Sequence, residues 1–210
     1  MTEIHSFLLF LGLSWVLIIT PGPDLIYVLT QGVSSGRKAG LISAIGVTLG
    51  IFVHTLFAAL GLSIILKTSA IAFSVVKIGG ALYLIYLGLK TIFSDTGFEI
   101  SKSDSTSSRK IFLQGLISNT LNPKVALFFM AFLPQFIHIG AAEQTSSIPF
   151  ILLGTIFAIC SLFFLSALGY FSGALGQYLS TRESVAKWIQ NVSGSIMILM
   201  GIKLAFARQN

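Results

Sequence analysis

Charged residues are scarce in this sequence. Asp, Glu, Lys and Arg make up 10% of the 210 residues, whereas hydrophobic residues make up 54%. A soluble domain carries about 25% charged residues, so the composition indicates an integral membrane protein. The 13 Lys and Arg outnumber the 7 Asp and Glu, but they form no basic stripe with stacking aromatics, and nucleic acid is not an expected partner. Cations that retain cytosolic loops explain the excess.

Cysteine and the common catalytic motifs are also missing. Cys160 is the single cysteine, which excludes an internal disulfide and a Cys-x-x-Cys redox pair. The sequence has no His-Glu-x-x-His zinc motif, no Gly-x-Ser-x-Gly nucleophile elbow and no Walker A loop. We therefore expect neither an enzyme nor a cofactor. No Lys or Arg precedes the first apolar run, so we expect no signal peptide.

Long apolar runs are what the sequence has in abundance. About 20 apolar residues suffice to cross a bilayer, so the runs predict an all-α protein with six transmembrane helices in a single transmembrane domain, residues 1–210. A polar linker at about 94–110 separates a first repeat, about 1–93, from a second repeat, about 111–210. The helices are expected at about 5–31, 39–66, 71–93, 111–138, 147–176 and 186–207.

Proline interrupts two of these runs at corresponding positions. Thr20-Pro21-Gly22-Pro23-Asp24 divides the first span, and Thr120-Leu121-Asn122-Pro123-Lys124 divides the fourth. Proline breaks a helix because it lacks an N–H group and its ring obstructs the preceding turn. In lipid, broken helices occur only where protein or a water-filled cavity covers the freed backbone groups, and matched breaks point to a transporter's binding site. Pro21, Pro23 and Pro123 are the predicted hinges.

The ends of the two halves are also alike. At an offset of 113 residues, the third and sixth spans share a pattern in which Gly88, Lys90 and Phe93 correspond to Gly201, Lys203 and Phe206. Three spans per half is an odd number, so the second copy must be inserted upside down as an inverted repeat. More cations lie on the face formed by the 1–2, 3–4 and 5–6 connections. That face is therefore expected in the cytosol, with both termini outside.

The two breaks carry opposite charges. An inverted repeat would bring Asp24 and Lys124 together near the membrane midplane. We expect Asp24 to hold a substrate ammonium, while Lys124 and the half-helix N-termini hold its carboxylate. An amino acid is the simplest ligand of this kind. Neutral hydrogen-bonding groups at the same level complete the predicted substrate-binding set: Thr20, Gly22, Asn119, Thr120 and Asn122.

Several alternatives remain open for these residues. Asp24 and Lys124 could form a structural ion pair at prolines that merely kink the helices, although intramembrane ionisable residues are functional by default. His54 is a candidate for proton coupling with Asp24, because imidazole titrates near neutral pH, or it could hydrogen-bond a neighbouring helix. A divalent-metal exporter would need more acidic or imidazole ligands than these two. A nonenzymatic scaffold would not explain opposite charges at matched breaks.

Glycine spacing predicts close contacts between helices. Two glycines four residues apart lie on one face of a helix and let another backbone approach. They identify no oligomer interface and leave a homo-oligomer open. The pairs are Gly36 with Gly40, Gly46 with Gly50, and Gly169 with Gly173.

Five segments carry a family resemblance in their order along both halves. They are Thr20-Pro21-Gly22-Pro23-Asp24, Gly36-Arg37-Lys38-Ala39-Gly40, residues 46–54, residues 122–129 and residues 132–136. Together they resemble the LysE/RhtB family of bacterial amino-acid exporters, in its homoserine/threonine and leucine branch. The resemblance implies export of amino acids across the inner membrane in exchange for protons. We expect the substrates to be small neutral amino acids, exported by alternating access about the two breaks. Members often have Asn after Pro-Gly-Pro, so Asp24 is expected to adjust substrate charge or coupling.

Overall fold

The protein is helical wherever its structure is described. The computed structural model describes residues 2–62, 70–93, 107–137, 147–181 and 183–206, and these ranges contain no strand. This confirms the predicted all-α class. The predicted linker lies largely outside the described residues, at 94–106. The α-helices within the described ranges are α1 (Thr2–Ile19), α2 (Pro23–Ser35), α3 (Arg37–Phe57), α4 (Ala70–Ile92), α5 (Ser108–Thr120), α6 (Pro123–Leu127), α7 (Ile148–Thr181) and α8 (Glu183–Phe206).

Two helices are broken at the prolines. Helix α1 ends just before Pro21, and the chain bends by 52° before α2 begins at Pro23. Helix α5 is followed by a bend of 43°, after which α6 begins at Pro123. Proline suits the first position of a helix, because the N–H group that it lacks would have no partner there. Helix α6 then continues through a π turn, Phe128–Phe132, and a 3-10 turn, Leu133–Phe136.

The long helices have the length and composition of membrane spans. Arg37–Leu60 and Ile148–Leu175 qualify as single helices. Each bent pair, α1 with α2 and α5 with α6, also qualifies when it is counted as one span, which gives up to four spans in the described residues. Helices α4 and α8 overlap the third and sixth predicted spans, but in α8 the apolar part is the shorter stretch Gln190–Phe206. Six crossings therefore stay a prediction.

Glycine contacts set the packing of α3 against α7. Gly40 lies against Gly169, where a Cβ added to Gly40 would be 2.6 Å from the Gly169 carbonyl oxygen. Further along, Thr55 of α3 lies against Gly154 of α7. The contacts follow rising residue numbers in α3 and falling residue numbers in α7, so these two helices run antiparallel. They are the second predicted span of each half.

Helices α4 and α8 pack in the same manner. Gly88 lies against Gly194, and Gly201 lies against Ala81. These two helices are therefore also antiparallel. The offset of 113 that aligns Gly88 with Gly201 also aligns Ala81 with Gly194. The contact of Gly88 with Gly194 and the contact of Gly201 with Ala81 are therefore made by equivalent positions of the two halves.

The predicted glycine pairs are only partly used in this packing. Both glycines of one pair lie against α5, Gly46 at Phe112 and Gly50 at Asn119. In the other two pairs a single member makes a close contact. A Cβ added at Gly36 or at Gly173 would have nothing within 4 Å.

The core beside the second break is aromatic. The rings of Phe128 and Phe129 lie 5.3 and 5.4 Å from the ring of Phe157 on α7, and all three side chains are buried. Many large apolar side chains, such as Phe163 and Leu199, are exposed instead. An apolar exterior of this kind suits lipid, which needs no polar surface.

The contact between Gly40 and Gly169 yields a first prediction. Gly169→Ala places a Cβ 2.6 Å from the Gly40 carbonyl carbon, so the backbones must move apart, and such overpacking costs about 1–3 kcal/mol. We expect a Tm lowered by about 5 °C in the purified protein. Gly173→Ala on the same helix meets no atom within 4 Å and should leave Tm unchanged or raise it, because alanine favours helix. Equal melting temperatures for the two variants would contradict the contact.

Candidate functional site

The two helix breaks meet at a buried group of polar side chains. Asp24 lies in the first turn of α2 and is 7% exposed. Its Oδ2 accepts hydrogen bonds from Nδ2 of Asn119 at 2.8 Å and from Nδ2 of Asn122 at 2.7 Å. Asn119 lies in the last turn of α5, and Asn122 lies between α5 and α6. The carboxylate of the first half is therefore held by amides of the second break.

Lys124 reaches in the opposite direction. Its Nζ donates to the carbonyl oxygen of Thr20 at 3.0 Å and to that of Leu17 at 3.2 Å, and the side chain is buried. These carbonyls form the C-terminal end of α1, where the helix dipole favours a cation. Among the described residues, the ammonium donates to these backbone carbonyls and not to Asp24. A direct ion pair, one alternative for this lysine, is not the observed arrangement.

The other predicted residues of the first break, Thr20 and Gly22, make different contacts, and their part in substrate binding stays a prediction. The Thr20 hydroxyl donates to the carbonyl of Val16 in its own helix, at 2.6 Å, so it does not point toward the second break. Gly22 lies beside Lys124, and a Cβ at Gly22 would be 3.0 Å from Nζ. Its φ of −177° is an extended conformation that any residue adopts. Glycine is therefore suited to this position by its size rather than by its backbone freedom.

At the second break, Asn122 combines two tasks. Its Oδ1 accepts from the backbone N–H of Lys124 at 3.0 Å and so caps α6, while its Nδ2 donates to Oδ2 of Asp24. Such a cap contributes about 1 kcal/mol to helix stability. Pro123 follows as the first residue of α6. Thr120 is the half-buried last residue of α5. By contrast, the N-terminus of α2 has no side-chain cap.

His54 is joined to the same group through the backbone. Its Nε2 lies 2.8 Å from the carbonyl oxygen of Asn119. A carbonyl only accepts, so Nε2 carries the hydrogen in this bond. The imidazole thus caps the C-terminal end of α5, which is the hydrogen bond to a neighbouring helix that was one alternative for this residue. A part in proton coupling stays a prediction.

A small cavity lies beside these groups. Its volume is about 20 Å³, which is room for about one water molecule. The polar side chains that line it are Asp24, Asn119, Lys124 and Ser161. The rest of the lining is apolar and consists of Leu17, Ile18, Leu25, Ile51, Val125, Phe157 and Leu165.

Two acceptor atoms at this cavity have no hydrogen-bond donor among the described residues. They are Oδ1 of Asp24 and Oδ1 of Asn119, both buried. A buried acceptor without a partner costs about 1–3 kcal/mol. An ammonium carries three N–H donors and no acceptor, so its chemistry is complementary to acceptors of this kind.

Some of the lining could not be found from the sequence. Phe157 and Ser161 belong to α7, a continuous apolar helix in which neither residue type stands out. The carbonyl of Leu17 is a backbone group, which no side-chain pattern indicates. Nor did the sequence indicate the contact made by Tyr27, whose hydroxyl donates to the carbonyl of Ile111 at 2.7 Å and so joins α2 to α5. For metal binding, no three His, Cys, Asp or Glu side chains of the described residues form a ligand group.

Comparison with known proteins gives consistent matches over nearly the whole chain. The LysE type translocator family matches residues 5–208. A leucine efflux protein of Enterobacter sp. (strain 638) is 31% identical over 195 residues, which cover 91% of each chain. One of Klebsiella pneumoniae is 30% identical over 191 residues, or 90% of this chain and 89% of that protein. The uncharacterized membrane protein YrhP of Bacillus subtilis is 30% identical over 209 residues, 95% and 98% of the two chains. No solved structure matches the chain.

Proposed function

The chain belongs to the family of LysE type translocators, and on that premise we propose that it exports leucine and similar small neutral amino acids in exchange for protons. The family and the relatives named as leucine efflux proteins support amino-acid export in general. The observation that carries the finer proposal is the small cavity that the buried side chains of Asp24, Asn119 and Lys124 line together.

A zwitterion finds complementary groups on both sides of this cavity. The substrate ammonium would bind Oδ1 of Asp24 and Oδ1 of Asn119, the two acceptors without donors. Lys124 has three N–H donors and gives two of them to carbonyls. The third would meet the substrate carboxylate, together with the uncapped N-terminus of α2, where the dipole attracts an anion. The apolar remainder of the lining would surround an aliphatic side chain.

Transport requires this site to open. A cavity of about 20 Å³ admits about one water molecule, so leucine enters only if the halves separate. We propose alternating access, in which one inverted repeat rocks against the other about the breaks at Pro21, Pro23 and Pro123. The antiparallel pairs α3 with α7 and α4 with α8 support this arrangement. When equivalent helices cross a membrane in opposite directions, the axis that relates them lies in the membrane plane.

Two ionisable side chains at the site are candidates for carrying the exchanged proton. Asp24 is a buried carboxylate at the site, and His54 is connected to it through Asn119. We propose that these two residues carry the exchanged proton. The charge bias of the loops favours an orientation in the bacterial inner membrane with both termini outside the cytoplasm.

Leucine counterflow in proteoliposomes tests the proposal. Vesicles that contain the purified protein and are loaded with unlabelled leucine should accumulate external labelled leucine without any gradient, because exchange requires only a binding site and alternating access. Threonine and homoserine should compete, whereas lysine should not. An imposed pH gradient should then drive net movement. Counterflow that equals the protein-free control, or that lysine inhibits as well as leucine does, would contradict the proposed substrate class.

A further inference from the structure

We propose that the carbonyl end of α1 is a cation site whose built-in occupant is the Lys124 ammonium. In transporters with broken helices, the C-terminal ends of half-helices and the unwound carbonyls coordinate a free coupling cation such as Na⁺. Here Nζ of Lys124 lies 3.0 Å from the Thr20 carbonyl oxygen and 3.2 Å from that of Leu17. The protein would thus supply its own cation at this place and need none from solution.

The surroundings of the ammonium are those of a built site. Lys124 is 6% exposed, so its charge is held in the interior rather than solvated. The carbonyls belong to the first half of the chain and the lysine to the second, so the two halves form the site jointly. Gly22 completes it, because a Cβ there would be 3.0 Å from Nζ and 3.4 Å from Cε. A larger residue at position 22 would press on the ammonium.

The electrostatics of the break explain why a cation belongs there. The last carbonyls of a helix have no partner within the helix and carry the negative end of its dipole. In α1 these groups are buried, since Thr20 is 1% exposed and Leu17 is 1% exposed. Carbonyl oxygen is a ligand that suits small hard cations as well as an ammonium. Without Lys124, the same carbonyls would be left to attract a free cation.

Chemical rescue of melting temperature tests this inference. Lys124→Ala removes the atoms from Cγ to Nζ, which is the space of n-propylammonium. We expect Lys124→Ala to lower Tm of the detergent-purified protein by about 5 °C, and n-propylammonium chloride to restore at least half of that loss. Tetramethylammonium chloride has the same charge but no N–H donor and should restore none. Lys124→Met fills the space with an uncharged chain, so n-propylammonium should not raise its Tm.

The expected pattern is overturned if n-propylammonium leaves Lys124→Ala unchanged, or if it raises Tm of the Met and Ala variants equally. Should Lys124→Ala not fold, Gly22→Ala tests the same contact with the lysine in place. Gly22→Ala should lower Tm, whereas Gly12→Ala, whose Cβ would have nothing within 4 Å, should not. Equal Tm values for these two variants would also overturn the inference.

A second consequence rests on the proposed function. If Lys124 replaces a free cation, leucine counterflow by the unaltered protein should be the same in Na⁺, K⁺ and choline media of equal ionic strength. A requirement for Na⁺ would overturn the inference while leaving leucine transport intact. Absence of counterflow in every medium would instead contradict the proposed function, and the melting experiments, which need no substrate, would still decide the inference.

Discussion

Asp24→Asn is expected to abolish leucine transport while leaving the protein folded in the membrane. The amide oxygen of the new side chain can still accept from Asn119 and Asn122, so the local hydrogen bonds survive. Its NH₂ group, however, would replace the acceptor Oδ1 with a donor at the proposed site of the substrate ammonium. A hydrogen bond to a charged group is worth about 1.5–3 kcal/mol, and the ammonium also loses its counter-charge. We expect transport to fall by about 100-fold or more.

Counterflow and gradient-driven export separate the two roles proposed for Asp24. If this carboxylate binds the substrate, both activities are lost in Asp24→Asn. If it only carries the proton, counterflow persists while the pH gradient no longer drives export, and the proposed binding role is wrong. Asp104→Asn makes the same chemical change in the polar segment between the halves and should leave both activities unchanged. The family resemblance leads us to expect Asn at the position of Asp24 in many members. Asp24→Asn therefore tests whether transport by this chain depends on the negative charge of Asp24.

The helix breaks could be predicted from the sequence because proline acts locally. Its missing N–H group and its ring interrupt a helix whatever surrounds them, so the ends of α1 and α5 follow from Pro21 and Pro123. The side chains beside the breaks were predicted for the same reason. Asp24 accepts hydrogen bonds from Asn119 and Asn122 in the structure, while the role of these three residues in substrate binding stays a prediction. The family that the motifs resemble is confirmed over residues 5–208.

The partner of Lys124 could not be predicted from side chains. The sequence suggested a carboxylate, from Asp24 or from a substrate, because these are the anions that a pattern of residues reveals. In the structure the ammonium donates to two backbone carbonyls and not to Asp24, and a bond to a substrate carboxylate stays a prediction. Any broken helix exposes such carbonyls, but which cation reaches them depends on how the other half packs. Gly22 was predicted as part of the binding set, which stays a prediction, and the sequence did not reveal that a Cβ there would lie 3.0 Å from Nζ of Lys124.

The two breaks therefore depend on each other. The acid of the first break takes its donors from the second, and the lysine of the second break takes its acceptors from the first. Under the proposed alternating access, separation of the halves would loosen both sets of bonds together. A substrate that binds Asp24 and Lys124 at once could replace part of what is lost. Substitution of a residue that both donates to Asp24 and contacts the substrate should then reduce transport more than substitution of a residue that only donates to Asp24.

Asn119→Leu and Asn122→Leu compare these two kinds of residue. Both asparagines donate to Oδ2 of Asp24, but only Asn119 lines the cavity, with an Oδ1 that has no donor. Asn119→Leu should therefore lose both a support for the carboxylate and an acceptor for the substrate ammonium. Each lost interaction with a charged group is worth about 1.5–3 kcal/mol. We expect leucine counterflow to fall by about 100-fold in Asn119→Leu and by about tenfold in Asn122→Leu.

Melting temperature should rank the same two variants in the opposite order. Asn122 also caps α6 through its Oδ1, so its replacement should lower the free energy of unfolding by about 1 kcal/mol more. The cavity oxygen of Asn119 caps no helix. Asn191→Leu, at an exposed position of α8, is the matched control and should change neither property. Equal losses of counterflow in Asn119→Leu and Asn122→Leu would mean that both asparagines act only through Asp24. The substrate ammonium would then bind the carboxylate without the Asn119 oxygen.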